Sequence, residues 1–349
     1  MSEPLIAALI GLAGGILLGL AARMGRFCTL GAIEAALYAD DRRGLRMWAL
    51  ALGIAIAGTF GLAGAGLIDL GATIYSRIRW DPLASIAGGL VFGYGMAIAG
   101  NCGFGALARL GGGDLRAFVI VVVMGVTAAM TISGPLAYLR IFAFPAELHP
   151  WDHAAQGYAH LAGGWLGVGP TLPALAIAAV FLALALGNGE FRRSRSHVIW
   201  GAAAGLAIVS GWVGTTLLAA ESFDPVQVES HSFTAPLGET IFYLMTASAG
   251  GLSFAVGSVA GVLLGSLVGA LIQGHFRWEA CDDPHELGRQ IAGGALMGIG
   301  GVVALGCSVG QGLTAFSTLA FSAPLVLGAI VLGAAIGLRQ LISGFNAAE

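Results

Sequence analysis

Four cysteines, Cys28, Cys102, Cys281 and Cys307, carry the most reactive side chains in this 349-residue chain. A thiol can ligate a soft metal, close a disulfide, carry a sulfur atom or donate a weak hydrogen bond. Their spacing narrows the choice. No CxxC pair and no Cys/His metal pattern occurs, so no metal or cofactor is expected, and a disulfide scaffold suits small secreted domains rather than so apolar a chain. Cys102 and Cys307 stand in the same phrase: aligning them brings Ile86, Ala87, Gly88, Gly89, Gly93, Gly95 and Gly105 into register with Ile291, Ala292, Gly293, Gly294, Gly298, Gly300 and Gly310. With 57 glycines in the chain, matching glycines alone would say little, but a rare cysteine in the same register makes this an internal duplication.

The elements that hold these thiols are membrane helices. The chain is 57% hydrophobic and 10% charged, with a mean hydropathy of +0.86, far from the roughly 25% charged residues of a soluble domain. Apolar runs near 4–22, 47–70, 82–101, 116–134, 171–187, 197–220, 250–273, 289–306 and 324–342 predict about nine spans of an all-α integral membrane protein. No cleavable signal peptide is expected ahead of the first run. All 16 basic residues are arginine. Those after spans one, three and five predict a cytoplasmic side there, an N-terminus outside and a C-terminus inside. The pI near 6 gives no hint of a nucleic-acid partner, and the apolar runs make the lipid bilayer the expected surroundings.

Span parity then sets the symmetry. One transport domain, 1–349, would hold repeat one at about 1–134, a linker helix at about 171–187, and repeat two, inverted by that odd helix, at about 197–343. After each repeat cysteine, "GFGALARLGGGD" and "SVGQGLTAFSTLAFSAP" are too glycine-broken for spans and too apolar for free loops. They predict short re-entrant helices meeting near the midplane, whose exposed N–H groups attract anions. "GRFCTLGAI" places Cys28 in a similar setting, and "SFTAPLGET" aligns Thr234 with it. The histidines of "HPWDHAAQGYAHLAGGW" could form a metal site from His149, His153 and His160, though a solvated interfacial loop is the simpler reading.

"GRFCTLGAI", "GLRMWALA", "GGLVFGYGMAIAGNCG", "ARLGGGDLRAF", "HFRWEAC" and "LMGIGGVVALGCSVGQGLTAFSTLA", in this order over nearly the whole chain, resemble the YeeE/YedE family of sulfur transporters. The resemblance implies thiosulfate uptake across a cell inner membrane, loops plunging to the centre of an inverted repeat, and functional cysteines at Cys28, Cys102 and Cys307. It also implies a cytoplasmic TusA-like sulfurtransferase partner. Cys281 matches no functional cysteine. Many relatives read "SGCG" where this chain has "GNCG", so Asn101 bears on which anion fits.

Thiosulfate is a soft dianion, and neutral thiols suit its passage because weak donors in series allow release as well as entry. Asn101, Ser308, Gln311 and Thr314 could add neutral donors. Arg109 is an attractor at the cytoplasmic mouth or an ordinary positive-inside anchor. Buried cysteines and polar residues also have plainer roles as small fillers and structural hydrogen-bonders. Two alternatives stay open: a carrier of another sulfur or selenium species, and a membrane thiol enzyme or sulfurtransferase component, which would need a reachable thiolate beside a cation.

Overall fold

The computed structural model describes residues 2–145, 157–222, 226–248, 251–280 and 283–346. In hydrocarbon the backbone must satisfy its own polar groups, so apolar runs wind into helices. In chain order these are α1 (Glu3–Gly25), α2 (Thr29–Tyr38), α3 (Arg43–Gly64), α4 (Ile74–Arg77), α5 (Pro82–Ala99), α6 (Gly103–Gly111), α7 (Leu115–Ile132), α8 (Pro135–Ala143), α9 (Tyr158–Leu166), α10 (Thr171–Leu186), α11 (Gly189–Arg193), α12 (Arg195–Glu221), α13 (Ala235–Thr246), α14 (Phe254–Ile272), α15 (Pro284–Val303) and α16 (Ser322–Asn346). Among the described residues there is no strand, only isolated bridges joining Thr73 to Val228 and Asp114 to Glu279. His149, His153 and Cys281 lie outside the described residues.

Seven helical segments among the described residues are long and apolar enough to cross a membrane: α1 with α2, α3, α5 with α6, α7, α12, α14 and most of α16. The protein is therefore an all-α, multi-pass membrane protein. Each of the nine apolar runs has become a helix, but two fall short as spans by themselves. α10 has 16 residues, about 24 Å at the helical rise, against a hydrocarbon core of roughly 30 Å. α15 opens on His285, Glu286, Arg289 and Gln290. Gln290 is buried there and donates to Glu286 at 2.9 Å.

Glycine sets how closely the helices approach. α1 lies along α14, where a Cβ on Gly15 would stand 2.4 Å from the Ser258 carbonyl oxygen and one on Gly261 2.4 Å from that of Leu12. No side chain fits between these backbones, so dispersion contacts hold the pair at close range.

Helices that the predicted repeat would pair run antiparallel. At one end Ser196 of α12 donates to the Met24 carbonyl of α1 at 3.3 Å, and at the other Ser222 donates to Glu3. α5 crosses α15 in the same sense: a Cβ on Gly88 would lie 2.7 Å from Gly300 O, and one on Gly293 2.6 Å from Gly95 O. Under the cysteine alignment these two contacts are images of each other. Other neighbours exchange likewise, with α1 on α14 and α12 on α3, α5 on α16 and α15 on α7, and α7 on α13 and α16 on α2. Chain reversal follows the same register, since Gly100 ends α5 at φ +75° and Leu305 follows α15 at φ +58°.

Candidate functional site

Four short helical segments begin at the residues singled out for their chemistry. Cys28 is the N-cap of α2, Cys102 of α6 and Thr234 of α13. Cys307 immediately precedes a helical stretch that contains the π-helical turn Gly310–Ala315. A helix N-terminus exposes N–H groups that have no intrahelical acceptor, so these ends carry partial positive charge. Here the sulfurs take some of those donors. Cys102 Sγ accepts from Gly105 N at 3.3 Å, and Cys307 Sγ accepts from both Gly310 N and Phe233 N at 3.3 Å. A sulfur that accepts from the backbone keeps its own S–H free to donate elsewhere.

The segments converge. The Cys28 and Cys102 sulfurs both flank Gly105, and Ser308 follows Cys307 directly. Gly105 leaves the room for this: a Cβ there would lie 3.4 Å from Cys102 Sγ and 3.7 Å from Cys28 Sγ. Thr29 Oγ1 donates to Ser308 Oγ at 3.0 Å, tying the start of α2 to the Cys307 segment across 279 residues of sequence. Cys102, Cys307, Ser308 and Thr234 are all buried, and the Thr234 hydroxyl has no partner.

Sequence reasoning missed the aromatic packing around this cluster. Phe27 stacks on Trp48 with ring centroids 4.8 Å apart and meets Phe104 at 6.4 Å, and Phe104 meets Phe233 at 5.2 Å. The signal was in the motifs, since Phe27 precedes Cys28 as Phe233 precedes Thr234. The three phenylalanines are fully buried and keep the thiols in an apolar surround.

Two vestibules approach the cluster from opposite ends of α12. The first, about 1070 Å³, is lined by Arg23, Arg26, Arg43, Arg109 and Arg277, with Cys28, Asn101 and Gly105 in its wall. The second, about 340 Å³, is lined by Glu229, Glu239, Arg140, Tyr75, Ser232 and Thr234. At the rim of the first, Asp41 accepts from the Arg43 guanidinium at 2.7 Å, which holds its carboxyl down to about 2.

The predicted site residues divide. Cys28, Cys102, Cys307 and Ser308 meet at the cluster. Asn101, beside Cys102, accepts from Arg109 Nη1 at 3.0 Å in the amide orientation that also lets it donate to the Gly100 carbonyl. Arg109 is half-exposed, with Asp114 3.9 Å away. Gln311 is buried, but its amide donates to the carbonyls of Ala304 at 2.9 Å and Leu305 at 3.1 Å and accepts from Ser322 at 3.2 Å. Those bonds close the end of α15, so Gln311 serves the fold. Thr314 likewise donates to the His231 carbonyl. Of the three loop histidines, His160 alone is described; it sits against Phe60 with ring centroids 6.3 Å apart. Among the described residues no group of three metal-ligating side chains gathers.

Fold and site together define a multi-pass helical membrane protein in which four helix starts gather around three thiols between two vestibules. The chain belongs to the Sulphur transport family, which matches it over residues 24–336. It is 27% identical over 329 residues to the Thiosulfate transporter TsuA of Spirochaeta thermophila, covering 93% of this chain and 96% of that protein. It is 25% identical over 337 residues to the Thiosulfate transporter TsuA of Escherichia coli, covering 93% and 92%.

Proposed function

We propose that this protein carries thiosulfate into the cell across the inner membrane, along a path through Cys28, Cys102 and Cys307. The observation that carries the reading is the placing of those three thiols, with Thr234, at the starts of four short helices between two vestibules. A dianion entering there meets backbone dipoles and S–H donors but no buried cation. Each stop is therefore weak, which favours onward movement. Asn101 and Ser308 contribute neutral donors beside the thiols, and Arg109 draws the anion at the arginine-lined mouth.

In this reading the chain is one domain of two inverted repeats, supported by the antiparallel counterparts and exchanged neighbours described above. The arginine-lined vestibule faces the cytoplasm by the positive-inside rule, which leaves the glutamate-lined one outside, with the N-terminus outside and the C-terminus inside. A cytoplasmic TusA-like sulfurtransferase would receive the sulfur at the arginine-lined mouth.

The test is growth on thiosulfate as sole sulfur source of a strain lacking other uptake routes, with and without this gene. Rescue by the intact chain and loss of most of it in Cys102→Ala and Cys307→Ala, at unchanged protein level, are expected. Cys281→Ala is expected to rescue normally. Full rescue by both path variants would remove the thiols from the mechanism.

One observation favours a second reading, a sulfur-carrying thiol enzyme: Cys28 opens onto the arginine-lined vestibule, the setting that activates a thiolate. Mass spectrometry of protein exposed to thiosulfate separates the two, because only the enzyme holds an additional sulfur on a cysteine.

A further inference from the structure

The 340 Å³ vestibule presents a contradiction to an anion. Its wall carries two carboxylates, Glu229 and Glu239, beside the hydroxyls of Ser232 and Thr234. Two ionised glutamates at the entrance would repel a dianion by Coulomb's law, most strongly where protein walls lower the dielectric.

The charges around Glu229 offer no relief. It lies in the segment between α12 and α13, outside the spanning helices, half-buried and with no side-chain hydrogen bond or ion pair among the described residues. From α13, Glu239 faces it and is itself held by Ser253. From α8, Arg140 turns its guanidinium away to the carbonyls of Thr131 at 3.0 Å and Ile132 at 3.4 Å. From α4, the Tyr75 hydroxyl donates to the Gly310 carbonyl at 3.1 Å. On its own segment, His231 bonds Ser258 on α14 at 2.7 Å. Burial, with the charge of Glu239 adding to it, pushes the Glu229 carboxyl up to about 8.

A second observation points to the anion in the same cavity. Thr234 is 1% exposed, its hydroxyl has no hydrogen-bond partner, and it lines the same wall. A buried hydroxyl left unpaired costs stability, so a site that keeps one is waiting for an acceptor.

We propose that the glutamate-lined vestibule binds a proton on Glu229 together with the anion at Thr234, so that uptake is proton-coupled. Protonation removes one of the two repelling charges, the one on the unpaired carboxyl, and eases the anion's way to Thr234; the bound anion in turn holds the proton on Glu229. The two affinities rise together, as reciprocity of coupling requires. A dianion drawn into an inside-negative cell works against the membrane potential with both charges, and each proton that travels with it cancels one. The proposal rests on the thiosulfate reading and on the orientation given with it.

Two measurements test it. In voltage-clamped proteoliposomes, thiosulfate uptake by the intact protein is compared with the outer medium below and above the titration range of Glu229, at constant inner pH. Uptake is expected to fall as the outer pH rises, by up to about ten-fold per pH unit for one proton. Glu229→Gln is expected to be flat with pH, and Glu229→Asp to restore the dependence. Equal uptake at both pH values by the intact protein, or an unchanged ratio in Glu229→Gln, overturns the proposal. The second measurement needs no transport: a pH-difference infrared spectrum is expected to show a protonated-carboxyl band titrating near neutral pH, lost in Glu229→Gln. Absence of that band overturns the proton site. A titrating band without thiosulfate uptake would support the proton site and reject thiosulfate as the substrate.

Discussion

At the scale of single residues, burial divides the thiols. Cys28 opens to the arginine-lined vestibule, whereas Cys102 and Cys307 are 0% and 1% exposed behind Phe27, Phe104 and Phe233. Thiol-reactive reagents attack the accessible thiolate. In single-cysteine variants a maleimide is accordingly expected to label Cys28 fastest of the three, from the arginine-lined side, and thiosulfate to slow that labelling by occupying the path. Faster labelling at Cys102 or Cys307 than at Cys28, read by mass shift over time, would mean the phenylalanines do not seal the centre. Ser308 and Gln311, three residues apart, show how one segment splits its work: the first faces the thiols, and the second closes a helix end.

At the scale of elements, the two cysteine phrases build the same device with unequal comfort. Gly100 reverses the chain after α5 at φ +75°, where glycine has no steric cost, but the image position holds Leu305 at φ +58°. A β-carbon in the left-handed region costs about 1–2 kcal/mol. Leu305→Gly is therefore expected to raise stability by up to about 1 kcal/mol, once the greater freedom of glycine in the unfolded chain is deducted. The measure is the thermal midpoint in detergent. A lower midpoint would show that the leucine side chain repays the strain through contacts in the vestibule wall.

At the scale of the whole molecule, topology carries the functional argument, because the proposed inversion would put the arginine-lined mouth on one face and the glutamate-lined mouth on the other. A reporter fused after Arg193 is expected to read cytoplasm, and one fused after Glu221, at the far end of α12, is expected to read the outside. The same compartment at both fusions would undo the inversion and with it the assignment of the two vestibules.

Much of this was legible in the sequence because it is local. Runs of apolar residues become helices wherever water is absent, and a cysteine three residues before a glycine marks a helix start by its own short-range bond. These features determined the fold class and singled out Cys28, Cys102, Cys307 and Ser308 as the candidate cluster. The tertiary structure decided whatever depends on which segments meet. Gln311 looked like a path donor until the end of α15 was placed beside it. Phe27, Phe104 and Phe233 came into ring contact only when the starts of α2, α6 and α13 met. Glu229, in a loop, and Glu239, on α13, share one cavity wall with Thr234 only in the folded chain. Hydrogen bonding and charge repulsion act over a few ångströms of space, and distance along the chain says little about such proximity.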